Sequence, residues 1–288
     1  MLRALRFARP LQTLAMLIVA ACTSNEPIRP EPSAGAAPSC PSGRGPKMVA
    51  IVLPGVASFC IDSTEVSQAH YAEFLASKPD VAKQSRQSCV DWNFSFEPRI
   101  NTYPHLDDYH GCRPDAPTAY DPKTKGDLPI ACVDQCDAIA YCEWAGKRLC
   151  GKVGGGPRDL ADVDPTSMTS EWYLACSQGG KGRYPYGDAY EKGRCDRPPA
   201  SDSHGGFKSV AADACHGDAP PFDGLFDMVG NVAEWEDQCR AEGICTTRGG
   251  SADEAGEGHA ISCASGAGTA SHNQGFAGQG IRCCANYE

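Results

Sequence analysis

Lysine and arginine form no cluster in this sequence, which carries 36 acidic against 26 basic residues and a formal net charge of −10. A protein that neutralises nucleic-acid phosphates needs a basic face, so this composition argues against a nucleic-acid partner. No internal repeat is present. The long apolar run, residues 11–21, is too short to span a bilayer as a helix and has the length of a signal-peptide core.

The N-terminus has the order of a bacterial lipoprotein signal. Arginines at positions 3, 6 and 9 precede the apolar run, which ends in Ala20-Ala21-Cys22. We therefore expect residues 1–21 to be a signal peptide and Cys22 to carry a lipid in the cell envelope. Because Thr23 rather than aspartate follows, we expect the outer membrane, facing the periplasm or the cell surface. The alternative is an ordinary signal peptide with an incidental cysteine.

After the signal peptide the composition changes again. Residues 22–46 are rich in Pro, Ala, Ser and Gly and cannot bury enough apolar surface to order themselves, so we expect a flexible tether. Residues 47–288 are long enough for one loop-rich domain. Without the three arginines of the signal peptide, 23 basic residues stand against 36 acidic ones, and the net charge is −13.

Cysteine is abundant. Setting Cys22 aside for the lipid leaves 16 of the 17 cysteines, an even number. In an exported chain this count is typical of a disulfide framework, in which each bridge stabilises the fold by about 2–4 kcal/mol. A zinc site is the alternative, with Cys132, Cys136 and the Cys215-His216 pair as candidates. The sequence has no paired C-x2-C spacing with matching histidines, which favours disulfides.

Short strands are predicted at both ends of the domain. Residues 48–54 are typical of a buried strand closed by proline, and residues 59–62 of a second strand. Beyond residue 224, short strands alternate with turns. Residues 85–130 show no periodicity and are predicted to be irregular.

Helices are predicted where apolar residues recur at helical spacing. The first covers residues 65–75, with Ser63 or Thr64 as its cap, and the second covers residues 134–145. A short helix is predicted to start near Ser170. Two main helices, short strands and long loops indicate the α+β class.

Seven short segments occur along the domain in a recognisable order. They are Ile61–Ser67 with Tyr71 and Phe74, Ala138–Leu149, Ser170–Trp172, Tyr184–Asp188, Gly224–Trp235, Arg248–Ser251 and Gly280–Cys283. Together they resemble the formylglycine-generating enzyme family, also called the sulfatase-modifying factor family, over roughly residues 48–285. The resemblance implies one compact, disulfide-rich domain of the C-type-lectin-like kind with little regular secondary structure.

The resemblance also implies two disulfides. The family joins the cysteine of its Ala-Tyr-Cys-x-Trp helix to the one in its final Gly-Phe-Arg-Cys motif, here Cys142 and Cys283. It joins the cysteine after its Glu-Trp helix to one beyond its Gly-Gly-Ser motif, here Cys176 and Cys263. Two further pairs are expected from proximity in sequence alone: Cys195 with Cys215, and Cys239 with Cys245.

The catalytic cysteines of the family have no counterpart here. Active members oxidise a sulfatase cysteine with oxygen and a copper ion held by two thiolates, which suit Cu(I) because they are soft ligands. The resemblance places that pair at positions occupied by Glu254 and His259, and no cysteine occurs between Cys245 and Cys263. Copper is therefore not expected.

Three functions remain open. The favoured one is a lipid-anchored, non-catalytic member that binds an unidentified protein or glycan or serves envelope structure. The alternative is a metal-dependent oxidase of the formylglycine-generating type, acting on a protein cysteine or another substrate. In that case Asp253, Glu254 and His259 would hold a harder metal such as Fe(II), although a solvated loop explains the same residues. A purely structural lipoprotein without a ligand is the third.

Calcium is the one cofactor that the resemblance favours. The family binds Ca²⁺ through two side chains and two carbonyl groups of its Gly-Leu-Tyr-Asp-Met-Val-Gly-Asn stretch and the residues that follow. The corresponding side chains are Asp227 and Glu234, and the carbonyls belong to Gly230 and Val232. Hard cations prefer oxygen ligands, and a glycine permits the sharp turn that directs carbonyls inward. The alternative is a plain turn in which Asp227 caps the backbone and Glu234 faces water.

Overall fold

A computed structural model describes residues 39–98, 112, 119–195, 207–212, 214–240, 243–252, 261–265, 269–271 and 275–288. Two four-stranded sheets and four short helices carry the described part of the domain. This is the α+β class with long connecting loops that the sequence predicts.

The first sheet joins the beginning of the domain to its end. Its order is β1-β2-β8-β3, and each pairing is antiparallel. The predicted strand over residues 48–54 stops at Ile51, because the chain turns at Pro54 and Val56 N donates to Leu53 O at 3.2 Å. The four strands are β1 (Met48–Ile51), β2 (Phe59–Asp62), β3 (Arg148–Leu149) and β8 (Cys283–Asn286).

The second sheet is built around one hairpin. Its order is β6-β5-β4-β7, with β4 antiparallel to β5 and parallel to β7. The register of the hairpin shifts between Trp235 and Cys239, which marks a bulge in β4. These strands are β4 (Ala233–Cys239), β5 (Ile244–Arg248), β6 (Thr269–Ser271) and β7 (Gln279–Gly280).

The helices correct two sequence predictions. The first starts later than predicted, because the backbone of Val66 is bonded to Ile281 and Ile130, and Ser67 rather than Ser63 or Thr64 caps it. A helix also forms in the stretch predicted to be irregular. Within the described ranges no helix is long and apolar enough to cross a membrane. The helices are α1 (Gln68–Ala76), α2 (Gln87–Trp92), α3 (Gln135–Trp144) and α4 (Glu171–Cys176).

Strand β8 contributes to two apolar clusters. Adjacent side chains of a strand point to opposite faces, so Cys283 enters one cluster and Cys284 the other. Each is bridged there, Cys283 to Cys142 of α3 and Cys284 to Cys150 beyond β3. The first cluster includes Tyr71, Phe74, Tyr141, Trp235 and Ile281, and the second includes Phe59, Ile61, Trp172, Leu174 and Met228.

Sixteen cysteines form eight disulfides. The pairs are Cys40–Cys60, Cys89–Cys136, Cys112–Cys132, Cys142–Cys283, Cys150–Cys284, Cys176–Cys263, Cys195–Cys215 and Cys239–Cys245. They include the two pairs that the resemblance implies and the two expected from proximity. The zinc alternative is wrong, because each of its candidate cysteines is bridged to another partner.

A buried ion pair connects the first sheet to the turn after α3. Lys147 Nζ lies 2.5 Å from Asp62 Oδ1, and neither side chain is exposed. Burial raises the pKa of Asp62 from 3.8 to about 6, although Lys147 opposes this rise. A carboxyl group whose pKa is raised by folding stabilises the protein most when pH is below its pKa in the unfolded chain, here 3.8. This contribution is lost as pH rises through its pKa in the folded protein, here about 6.

Replacing Lys147 by methionine should destabilise the domain by about 3–5 kcal/mol at pH 7.5, because Asp62 then lies buried without its cation. The substitution moves the folded-state pKa of Asp62 further above 6. In the wild type, the free energy of unfolding stops falling once pH exceeds the pKa of Asp62, whereas in the variant it continues to fall. The difference in free energy of unfolding between the two proteins should therefore grow from pH 5 to pH 7.5. Denaturant unfolding at the two pH values measures this.

The matched control is Lys83, whose side chain is 82% exposed and pairs with Asp80 at 3.4 Å. Lys83→Met should change the free energy of unfolding by less than about 0.5 kcal/mol at either pH. Equal losses in the two variants, or a Lys147→Met deficit that shrinks as pH rises, would contradict the assignment.

Candidate functional site

The segment from Asp227 to Glu234, here called the acidic turn, contains the four residues expected to bind calcium. Asp227, Gly230 and Asn231 have left-handed backbones, with φ of 56°, 76° and 55°. Glycine, asparagine and aspartate are the residues that adopt this region most readily. At Gly230 the chain also approaches a neighbour closely, since an added Cβ would lie 2.6 Å from the carbonyl oxygen of Cys195.

Glu65 holds the acidic turn from the segment before α1. Its carboxylate accepts hydrogen bonds from Asn231 Nδ2 at 2.6 Å and from Val232 N at 3.0 Å. Burial, followed by the negative charges of Asp227 and Glu234, raises the pKa of Glu65 well above its usual value. The sequence predicts Glu65 at the start of a helix and does not predict this role. The sequence feature that could have indicated this role is the position of Glu65 in the segment Ile61–Ser67, directly after a predicted strand.

Arg282 neutralises Glu234 at the other end of the acidic turn. Its Nε lies 2.8 Å from both carboxylate oxygens, and its Nη2 lies 2.7 Å from Oε1. Trp172 Nε1 donates to Oε2 at 2.5 Å. Burial raises the pKa of Glu234, and the charge of Arg282 opposes this rise. Glu234 therefore faces protein donors rather than water, contrary to the plain-turn alternative.

The donors of the acidic turn suit a hard divalent cation. Three buried carboxyl groups, those of Glu234, Glu65 and Asp227, act on the single guanidinium of Arg282. No hydrogen bond from the described residues reaches the carbonyl oxygens of Gly230 and Val232, which are both buried. Carboxylate and carbonyl oxygens are the ligands that calcium prefers.

Two facts limit how such an ion could be held. Asp227 already accepts a hydrogen bond from Ala211 N at 2.7 Å through Oδ2. Across the part of the chain that the structure describes, no three or more His, Cys, Asp or Glu side chains form a metal-binding group. A cation at the acidic turn would therefore depend on backbone oxygens as much as on side chains.

Glu254 and His259, where the resemblance places the catalytic pair of the family, lie outside the described residues, as do Asp253 and Cys22. The segment that leads toward them is fixed to the acidic turn, because Ala252 N donates to Asn231 O at 2.9 Å.

Free thiols are scarce in spite of the 17 cysteines. The eight disulfides use sixteen of them and leave only Cys22 unaccounted for. The thiolate, not the disulfide sulfur, is the form that ligates metals. A copper site of the dithiolate kind would first require one of these bridges to open.

The loop over residues 158–169 displays apolar side chains on a fixed base. Arg158, which is buried, pairs with Glu236 at 2.9 Å and with Asp162 at 3.0 Å. Exposed apolar side chains on a well-held loop are typical of interaction surfaces. The side chains displayed are Leu160 (51% exposed), Val163 (62%) and Met168 (51%).

Comparison with known proteins identifies relatives along most of the domain. Residues 51–287 match the family model described as sulfatase-modifying factor enzyme 1-like domain. The inactive C-alpha-formylglycine-generating enzyme 2 of Mus musculus is 28% identical over 221 residues, which cover 69% of this chain and 63% of that protein. The formylglycine-generating enzyme of Thermomonospora curvata is 27% identical over 217 residues, or 67% of this chain and 62% of that one.

This chain thus spans less than two thirds of the length of either relative. Among solved structures, the crystal structure of CarF matches with a TM-score of 0.49 and 17% identity, covering 85% of this chain and 98% of that one.

Replacing Gly230 by alanine should destabilise the domain by at least about 2 kcal/mol, because the new Cβ adds left-handed strain and a clash with the Cys195 carbonyl. Gly146→Ala is the matched control, since Gly146 has the same φ of 76° but nothing within 4 Å of its added Cβ. The control should cost only about 1 kcal/mol. Thermal unfolding of both variants measures the difference, and equal losses would show that the acidic turn does not approach Cys195.

Proposed function

We propose that this chain, which belongs to the sulfatase-modifying factor enzyme 1-like family, is a non-catalytic member that binds a partner or supports the bacterial cell envelope. The observation that carries the proposal is the use of cysteine. Sixteen of 17 cysteines are joined in disulfides, and the resemblance places the copper thiolates of the family at Glu254 and His259.

The two relatives carry different names. The one from Mus musculus is named an inactive C-alpha-formylglycine-generating enzyme, whereas the one from Thermomonospora curvata is named a formylglycine-generating enzyme. Both are similar to this chain at nearly the same identity. Sequence identity therefore does not distinguish an active enzyme from an inactive one, and the assignment rests on the residues of the site.

The loop over residues 158–169 supports a binding role. Its apolar side chains lie in water, while Arg158, Glu236 and Asp162 hold its base. A surface of this kind suits recognition of a protein or glycan, because its geometry is set before the partner arrives. The existence of such a partner is part of this proposal.

We place this domain on a membrane through a lipid on Cys22 and the tether over residues 22–46. The basic, apolar and small-residue segments before Cys22 support this anchor. An acidic, disulfide-bonded domain held by a tether in the outer membrane suits an oxidising compartment.

The catalytic question is tested with the full chain, produced oxidised and loaded with Cu(I). A Cys-x-Pro-x-Arg peptide is offered with oxygen, and its mass is followed beside the Thermomonospora curvata enzyme as positive control. We expect no aldehyde in the presence of this chain. Conversion with Cu(I) would overturn the proposal, and conversion with Fe(II) alone would favour the alternative oxidase with Asp253, Glu254 and His259.

We also propose calcium at the acidic turn, held by Asp227, Glu234 and the carbonyls of Gly230 and Val232. Calcium at 100 times its dissociation constant should then add about 2.7 kcal/mol to the free energy of unfolding, because it binds only the folded chain. Asp227→Asn should remove most of this gain. Asp223→Asn, which alters an exposed carboxylate nearby, should keep it.

Thermal unfolding with calcium and with a chelator measures both variants against the wild type. An unchanged melting temperature in the wild type would contradict the calcium site without bearing on the catalytic question.

A further inference from the structure

One disulfide differs from the others in its place in the fold. Cys239 and Cys245 lie directly opposite each other in the β4–β5 hairpin, next to the bulge in β4. Opposite residues of an antiparallel pair usually keep their Cα atoms about 4.5 or 5.5 Å apart. Here the two Cα atoms are 3.9 Å apart, whereas the other seven bridges span 4.7–5.7 Å. Opening this bridge lets the strands return to their ordinary spacing.

The same bridge closes the smallest loop. Cys239 and Cys245 are six residues apart, whereas the other pairs are separated by 20 to 141 residues. The restriction that a disulfide places on the unfolded chain grows with loop length, so this bridge contributes least to holding the fold. Its loss is therefore the one that the domain tolerates best.

Gln135 adds an independent observation. Its Nε2 donates to Glu236 O at 3.0 Å, which fixes the orientation of the amide and turns Oε1 toward the bridge. Oε1 lies 2.8 Å from Cys239 Sγ and 3.1 Å from Cys245 Sγ. Disulfide sulfurs carry no hydrogen, so this buried oxygen receives no hydrogen bond from them. Thiols at the same two positions would each have an S–H to donate.

We propose that Cys239–Cys245 is a thiol–disulfide exchange site, opened by a dithiol reductant before the other bridges of the domain, with Gln135 as the acceptor that stabilises its reduced form. Cys239 is half-buried and Cys245 is buried, so the sulfur of Cys239 is the one that a reductant reaches. The rest of the framework stays closed, and the fold survives the exchange.

The exchange balances as follows. One thiolate of the dithiol attacks Cys239 Sγ, a mixed disulfide forms, and Cys245 leaves as a thiolate. The second thiolate of the dithiol then attacks the dithiol sulfur that is bonded to Cys239. The disulfide of the reagent closes, and Cys239 is released as a thiolate. The dithiol loses two electrons and becomes a disulfide. The protein gains those electrons and takes up two protons to form two thiols.

The test uses the full chain equilibrated with graded ratios of reduced to oxidised dithiothreitol. Free thiols are blocked with one alkylating reagent, the remaining bridges are reduced under denaturing conditions, and a second reagent labels them. Trypsin isolates Cys245 between Arg240 and Arg248, and Cys60 between Lys47 and Lys83, so each reports on its own bridge.

Cys40–Cys60 is the matched control, because Cys40 is also half-buried and 20 residues separate the pair. We expect Cys245 to be half reduced at a ratio of reduced to oxidised dithiothreitol that is at least about tenfold lower than the ratio at which Cys60 is half reduced. Half reduction at the same ratio, or at a higher one, would overturn the proposal.

Gln135→Met separates the role of the amide oxygen from that of strand spacing. In this variant Cys245 should need a dithiol ratio about threefold higher or more, because the reduced form loses its acceptor. The ratio for Cys60 should not change. An unchanged or lower ratio for Cys245 in the folded variant would remove Gln135 from the proposal. If the variant does not fold, the wild-type comparison of Cys245 with Cys60 decides alone.

Discussion

A single buried guanidinium, that of Arg282, connects parts of the chain that are far apart in sequence. Besides its contacts with Glu234, its Nη1 donates to Asp62 O at 2.8 Å and its Nη2 donates to Phe226 O at 2.7 Å. It therefore joins the end of β2, the entry to the acidic turn and the start of β4. Such a group is stable in the interior only when every donor finds an acceptor, so these three segments must keep their positions together.

The acidic turn follows from that requirement. Its backbone contains three left-handed residues, which are costly unless other contacts impose them. Glu65 on one side and Arg282 on the other supply these contacts, through carboxylate and guanidinium hydrogen bonds to the same short segment. The arrangement nevertheless gathers three carboxylates around one cation. The proposed calcium ion would lie among these carboxyl groups.

The features of the fold that could be predicted are those whose cause lies in neighbouring residues or in short segments of the sequence. The sixteen cysteines beyond Cys22, the short helix near Ser170 and the order of the seven segments are visible in the sequence, and they predicted the framework, the class and the family. The start of α1 was wrong, because the backbone of Val66 bonds to Ile281 and Ile130, residues far away in the sequence. The role of Glu65 was missed for the same reason, since its partners lie more than 160 positions later.

The use of cysteine links the scaffold to the question of catalysis. An active dithiolate site needs two cysteines that are reduced and near each other, whereas a loop-rich domain needs its cysteines oxidised. In this chain the bridges from Cys142, Cys150 and Cys176 close loops of 87 to 141 residues and hold both apolar clusters together. Those cysteines cannot be reduced without loosening the core. The short hairpin bridge Cys239–Cys245 is free of that constraint, because β4 and β5 are also paired at Glu234–Arg248 and Trp235–Thr247. The redox chemistry proposed for this domain therefore lies at the β4–β5 hairpin.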